Sequence, residues 1–188
     1  MSVPETTQPA AQNQWTISPM PTPIDALAKS AQLLMSVTYC SLSTCSAKGI
    51  PWVSPVFFAF DEALNFYWSS AIAATHSQNI YNNQGRCAIT LYQSQKSAAP
   101  TDGLYFTGTA SELETAGVER VCPLIDSRSG SPVPRSRDDY LGESVRRMYQ
   151  FVPTQVWSTG ERFAQGKQLV DTKVVLDLET LKAYVHQA

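Results

Sequence analysis

The sequence predicts a mainly β fold with peripheral helices, an α+β domain organised around one mostly antiparallel barrel. Three observations carry that expectation. Between Val37 and Tyr92 the apolar residues fall in short runs of strand character, separated by Gly, Pro, Asn and Asp turns. Small helix-compatible segments are interposed between those runs, a pattern that suits a closed or split barrel. A length of 188 residues with 43% hydrophobic residues provides one full core and is short for two.

Residues 1–22 are rich in Pro, Gln, Thr and Ala, with Trp15 and Ile17 as isolated apolar points, and read as a flexible N-terminal arm. Residues 23–188 form the single domain. Ile24, Leu27, Ala28, Ala31, Leu34 and Met35 recur at helical spacing, opened by Thr22 or Asp25. Tyr39–Cys45 reads as the first strand, with a turn through Gly49. Pro51–Phe60 is the second, and Leu64–Ser69 the third, with Leu64, Phe66 and Trp68 on one face. These three are expected to form a meander. Ala71–Asn83 reads as a short helix, Arg86–Tyr92 as a strand and Gly103–Ala110 as another after a loop through 94–102. Glu112–Ile125 is expected to be helical and limited by Pro123. The turn-rich stretch Asp126–Asp139 reads as a flap, with Arg128, Arg135 and Arg137 in it. Leu141–Phe151 is predicted helical. Val152–Trp157 and Lys173–Leu178 read as closing strands around a polar loop with Gly160 and Gly166.

Charged residues make up only 16% of the chain and the formal net charge is −2. That balance argues against a nucleic-acid partner, which would need a basic stripe, and it offers little repulsion between copies. The four cysteines form no C-x-x-C pair, and His76 and His186 lie far apart, so no metal site is expected. The N-terminus lacks an apolar core segment. The longest apolar stretch, Val53–Phe60, is far below the ~20 residues of a spanning helix. The expectation is a cytoplasmic protein with no membrane partner.

From Cys40 to Ala110 the segments "SLSTCSAKGIPWVSPVFFAFDEALNFYW", "SSAIAATHSQNI", "GRCAITLY" and "GLYFTGTASEL" follow one another in order. This run resembles the FMN-binding split β-barrels of the pyridoxamine 5'-phosphate oxidase-like family. The resemblance covers about half the chain, and extends more weakly to "VPTQVW" at 152–157. It implies a homodimer with FMN, or a related deazaflavin, at the interface. Carried over by position, it implies cofactor contacts from Ser54, Pro55, Val56 and Phe57 on the second strand and from Trp68, Ser69 and Ser70 at the end of the third. Thr75, His76 and Asn79 would lie at the phosphate end, and Trp157 near the flavin. Hydroxyls and amide hydrogens at a helix N-terminus suit a phosphate, and an imidazolium would add charge.

Two departures qualify what the resemblance implies. The basic residues usual on the second strand and in the short helix are replaced by Ser54, Ala59, Thr75 and His76. The substrate-holding Arg-x-His of true pyridoxal-phosphate synthases is absent from "TKVVLDLETLKAYVHQA". The expected function is therefore an FMN-dependent oxidoreductase acting on a small organic molecule, with NAD(P)H as a possible electron donor, and not pyridoxal-phosphate synthesis. No Ser/His/Asp set or carboxylate pair is available for catalysis, which fits a protein whose cofactor carries the chemistry. Three alternatives stay open: a non-catalytic flavin-binding or redox-sensing protein, a haem-binding split barrel using His186, and a structural dimer without cofactor.

Overall fold

The computed structural model describes residues 16–93 and 102–187. The N-terminal arm up to Trp15 and most of the 94–102 loop lie outside the described residues. The strands are β1 (Thr16–Ile17), β2 (Tyr39–Cys45), β3 (Pro51–Phe57), β4 (Ala59–Phe60), β5 (Phe66–Ala71), β6 (Arg86–Tyr92), β7 (Gly103–Glu112), β8 (Arg146–Thr159), β9 (Phe163–Gln165), β10 (Gln168–Val170) and β11 (Lys173–Leu176). The helices are α1 (Ile24–Ser36), α2 (Thr75–Asn82), α3 (Thr115–Ser129) and α4 (Leu178–Gln187). A nine-stranded sheet runs β1-β11-β8-β7-β6-β2-β3, with β5 on β8 and β4 on β5. Its pairings are antiparallel except for parallel β1–β11. This is the mainly β barrel with peripheral helices that the sequence predicts.

Strand β8 makes the fork that splits the barrel. One edge follows β7 from Tyr149 to Ser158. The other carries β5 over Arg146–Phe151 and then β11 over Val156–Thr159. The register of β7 against β8 shifts between Thr107 and Gly108, which pair with Gln155 and Pro153 and leave Thr154 as the extra residue of a bulge. Burial accordingly changes phase along β8: Phe151 and Pro153 are buried before the bulge, Val156 and Ser158 after it. Gly108 is required there, because a Cβ would lie 2.1 Å from the Val152 carbonyl oxygen.

Strand β3 closes one end of the sheet, and its outer edge has no partner strand among the described residues. Pro51 and Pro55 are tolerated for that reason. Four residues apart, both direct their missing N–H to the free edge rather than to β2.

The barrel interior is filled by Leu42, Phe58, Phe66, Trp68, Ile89, Phe106 and Phe151, covered by Leu27 and Leu34 of α1 and Leu181 of α4. On the opposite face Tyr67 and Met148 pack under Val118, Val121, Cys122 and Ile125 of α3. Strand β5 and the Met148–Phe151 part of β8 are therefore buried on both sides.

Several expectations need correction. Residues 141–151 are not a helix: Arg146–Phe151 is the first half of β8. Leu141, Val145, Met148 and Tyr149 imitate helical spacing because Met148 and Tyr149 are buried in two different clusters on opposite faces. Pro123 does not end α3, which continues to Ser129. Pro123 is exposed, and burial of Val118, Val121, Cys122 and Ile125 offsets the ~3 kcal/mol cost of an interior proline. The flap is shorter than its composition suggests, since Asp126–Ser129 belongs to α3 and Arg137–Asp139 forms a 3₁₀ turn. The second predicted strand breaks at Phe58, so β3 pairs with β2 while β4 pairs with β5, and no single meander joins all three. Helix α1 starts at Ile24 with Pro23 as N-cap, and Thr22 accepts a hydrogen bond from the Asp177 amide. The last predicted strand stops at Leu176, and Asp177 caps α4 by accepting from the Thr180 amide (2.8 Å) and hydroxyl (2.6 Å). No helix among the described residues is long and apolar enough to cross a membrane.

Candidate functional site

Strands β3 and β5 are neighbours in the barrel but not in the sheet, and five of the eleven candidate residues lie at or beside the gap between them. Ser54 lies on β3, Ser69 and Ser70 at the end of β5, and Thr75 and His76 in the first turn of α2. The imidazole of His76 spans the gap: Nδ1 lies 3.0 Å from Ser54 Oγ and Nε2 lies 2.7 Å from Ser70 Oγ. The Trp52 indole, which can only donate, bonds to Ser54 Oγ at 3.0 Å. The neutral ring satisfies both contacts in either tautomer, because each hydroxyl can donate or accept.

This arrangement alters the expected role of His76. Burial pushes its pKa below the ordinary 6.5, so near neutral pH the ring is uncharged. Both ring nitrogens are already engaged. His76 is a rivet across the split of the barrel and not the expected imidazolium.

The positive charge comes from elsewhere. In the β5–β8 ladder Ala71 faces Arg146 and Ser70 faces Arg147. The amide of Ile72 donates to the Val145 carbonyl, which carries the ladder up to the turn into α2. Arg146 donates to both the carbonyl (3.0 Å) and the hydroxyl (3.1 Å) oxygen of Ser69. It makes no ion pair among the described residues. Arg147, in contrast, is consumed by Glu112 at 3.0 Å and by the carbonyls of Gly142, Ser144 and Arg146. Helix α2 begins at Ala74 with no side-chain cap, and Thr75 is exposed beside it. The end of β5 thus carries Ser69 with the Arg146 guanidinium bonded to it, and the chain runs on to the uncapped start of α2 at Thr75, groups that suit an anion.

The other candidates divide. Pro55 is exposed and Phe57 half-buried on the edge strand, where Phe57 meets Tyr39 edge-on at 6.0 Å. Val56 is in the core. Asn79 is buried and donates to Thr44 Oγ1 at 3.0 Å, fastening α2 to β2. Trp68 is fully buried and stacks on Tyr149 at 5.7 Å, so it belongs to the barrel interior. Trp157 is half-buried between Tyr105 and Val175, ten residues along β8 from Arg147. One chain does not bring it to the Ser69–His76 end. Arg146 is the residue that sequence reasoning missed, because a helix across 141–151 hides its position opposite Ala71. The signal available was "RRMYQFVPTQVW" read as one continuous strand.

Residues 27–160 match the sequence pattern of the pyridoxamine 5'-phosphate oxidase family. The chain belongs to that family. Within the curated proteins, an 86-residue stretch is 27% identical to a UPF0306 protein of Pasteurella multocida (strain Pm70), covering 46% of this chain and 58% of that one. Two solved structures show how widely the family fold is shared. A heme binding protein from Mycobacterium smegmatis superposes with a TM-score of 0.57 at 15% identity, over 86% of this chain and 62% of its own. An FAD-binding protein from Mesorhizobium loti gives 0.51 at 15% identity, over 70% and 91%. Within the pyridoxamine 5'-phosphate oxidase family, then, this chain has the split barrel, and its own residues distinguish it at the β5–α2 junction.

Proposed function

We propose that this family member binds FMN at the β5–α2 junction and acts as an FMN-dependent oxidoreductase on a small organic substrate. The observation that carries the reading is Arg146, held on Ser69 near the uncapped start of α2 with no carboxylate partner among the described residues. A flavin phosphate carries about −1.5 to −2 charge near neutral pH. Arg146, Ser69, Thr75 and the first amides of α2 would hold it. The neutral His76 would keep Ser54 and Ser70 at fixed spacing. FMN, when bound, supplies the redox chemistry, while the chain supplies the phosphate grip and the apolar wall.

A second copy completes this site. Trp157 reaches the flavin only from a partner subunit, given its distance along β8 from the phosphate end. The apolar edge formed by β2 and β3 is the surface through which two copies would meet.

The test compares FMN with riboflavin, which lacks the phosphate, by quenching of flavin fluorescence. Each charge-assisted hydrogen bond is worth roughly 1.5–3 kcal/mol, and an exposed one sits at the low end. Arg146→Ala should weaken FMN by about tenfold and leave riboflavin unchanged. Equal losses for both flavins would remove the phosphate assignment. Oxidation of NADH or NADPH by the FMN-loaded protein separates an enzyme from a flavin-storing protein with the same site.

A further inference from the structure

A second place in the molecule has the build of a ligand site, away from the β5–α2 junction. Between the C-terminal ends of α1, α3 and α4 and the turn after β4 lies a cavity of about 550 Å³, within the size range of small-molecule sites. Met35, Phe60, Leu124 and Val185 supply apolar walls, and Ser127 and Arg128 supply the polar part.

Arg128 is the unusual member. Its guanidinium lies over the rings of Phe58 and Phe60 at 4.7 and 5.0 Å. One terminal nitrogen, Nη2, donates to the Leu34 (2.7 Å) and Val37 (2.8 Å) carbonyls at the end of α1. Nε is buried with no partner. Nη1 has no hydrogen bond, and Arg128 makes no ion pair, among the described residues. Burial pushes the Arg128 pKa below its ordinary value, the mark of a cation without a counter-charge.

Two acidic residues share the cavity wall, and neither neutralises Arg128. Asp61 accepts from the Ala63 and Asn65 amides, the Asn65 side chain and Tyr67, and faces Arg120 at 3.7 Å. Glu62 is exposed, and its carbonyl takes the Nε2–H of His186 at 2.9 Å.

We propose that this cavity binds a small monocarboxylate with an apolar body, its carboxylate on Arg128 Nη1 and the Ser127 hydroxyl and its body against Met35, Phe60, Leu124 and Val185. The guanidinium then gains the counter-charge that no described residue supplies, in a partly desolvated setting where charge-assisted bonds are strong. This inference is independent of the flavin site.

The test uses the full chain with methyl-¹³C methionine, whose four methyl signals include Met35 at the cavity and Met148 under α3. Phenylbutanoate is titrated against phenylbutanol, which has the same body without the charge. Ligand efficiency for a molecule of this size places the Kd on the order of 1 mM or below. The expected result is a saturable shift confined to Met35, at least about tenfold weaker for the alcohol. Ser127→Glu puts a negative charge beside the proposed carboxylate without touching the bonds from Arg128 to α1, and should also weaken phenylbutanoate about tenfold. Arg128→Gln should do the same, provided its Met148 signal stays in place to report an intact fold. Equal binding of acid and alcohol would overturn the proposal. So would indifference to Ser127→Glu, a shift at Met148 instead of Met35, or no saturable shift at all.

Discussion

A single imidazole links the two strands that the sheet leaves apart. His76 meets the Ser54 hydroxyl at one nitrogen and the Ser70 hydroxyl at the other, and burial holds its pKa below 6.5. The sign of the pH dependence follows. In the unfolded chain the ring protonates near 6.5; in the folded chain it protonates only at lower pH. Between those two values the unfolded state binds more protons, so acid favours unfolding. The His76 contribution is fully present above pH 6.5, begins to fall below it and is gone beneath the depressed folded value. Urea titrations of the wild type should therefore show a falling midpoint as pH drops below 6.5, and His76→Gln should flatten that dependence. Asp61 acts in a separate window. Burial alone would raise its pKa, but bonds from Asn65, Tyr67 and the Ala63 amide outweigh it and hold the carboxyl below 3.8. Its share is lost only as pH falls below that value, so the two effects are separable. A midpoint that stays level between pH 7.5 and 5 in the wild type would contradict the buried-neutral assignment.

At the scale of elements, the bulge between β7 and β8 decides how the barrel forks. Thr154 is the extra residue, and Gly108 is the point where the Val152 carbonyl comes too close for a side chain. Gly108→Ala should cost about 1–3 kcal/mol, the range for overpacking a tight site. Gly49→Ala, where the added methyl meets nothing but φ is +78°, should cost about 1 kcal/mol. Denaturant midpoints of the two variants test that order. The same strand shows why the sequence was legible in some places and opaque in others. The β6 alternation of Ile89 and Leu91 against its other residues is plain because its burial is one-sided. Strand β8 is buried on both faces at Met148 and Tyr149 and changes phase at the bulge, so neither a period of two nor its true start is visible locally. That misreading also concealed Arg146, the cation that the candidate site needs. Helix α4 went unread, because the strand reading was carried through Leu178, although Asp177 and Thr180 form its cap and Leu178, Leu181, Tyr184 and Val185 recur at helical spacing. The rivet made by His76 depends on β3 and β5 lying side by side without pairing, which no local pattern encodes.

For the whole molecule, the unpaired edge at β3 is the feature that a lone chain leaves unresolved. Tyr39, Ile50, Trp52 and Val53 are 59%, 64%, 48% and 61% exposed on or beside the last two strands of the sheet. Open edges with apolar side chains invite association, and a net charge of −2 does little to oppose it. The prolines restrict how that association occurs. Pro51 and Pro55 have no N–H to offer on the free edge, so a second chain cannot extend the sheet by strand addition. The contact must run through side chains, and two-fold pairing of the same patch on two copies is the commonest closed solution. The wild type should therefore sediment as two chains at micromolar concentration. Ile50→Glu with Val53→Glu places two charges in that contact and leaves Trp52, Ser54 and His76 untouched. This variant should sediment as one chain, keep its far-ultraviolet dichroism and bind FMN at least about tenfold more weakly, because the partner's wall of the site is lost. A wild-type chain that binds FMN fully while sedimenting as a monomer would mean that both walls come from one subunit, and the edge at β3 would then have to meet something other than its own copy.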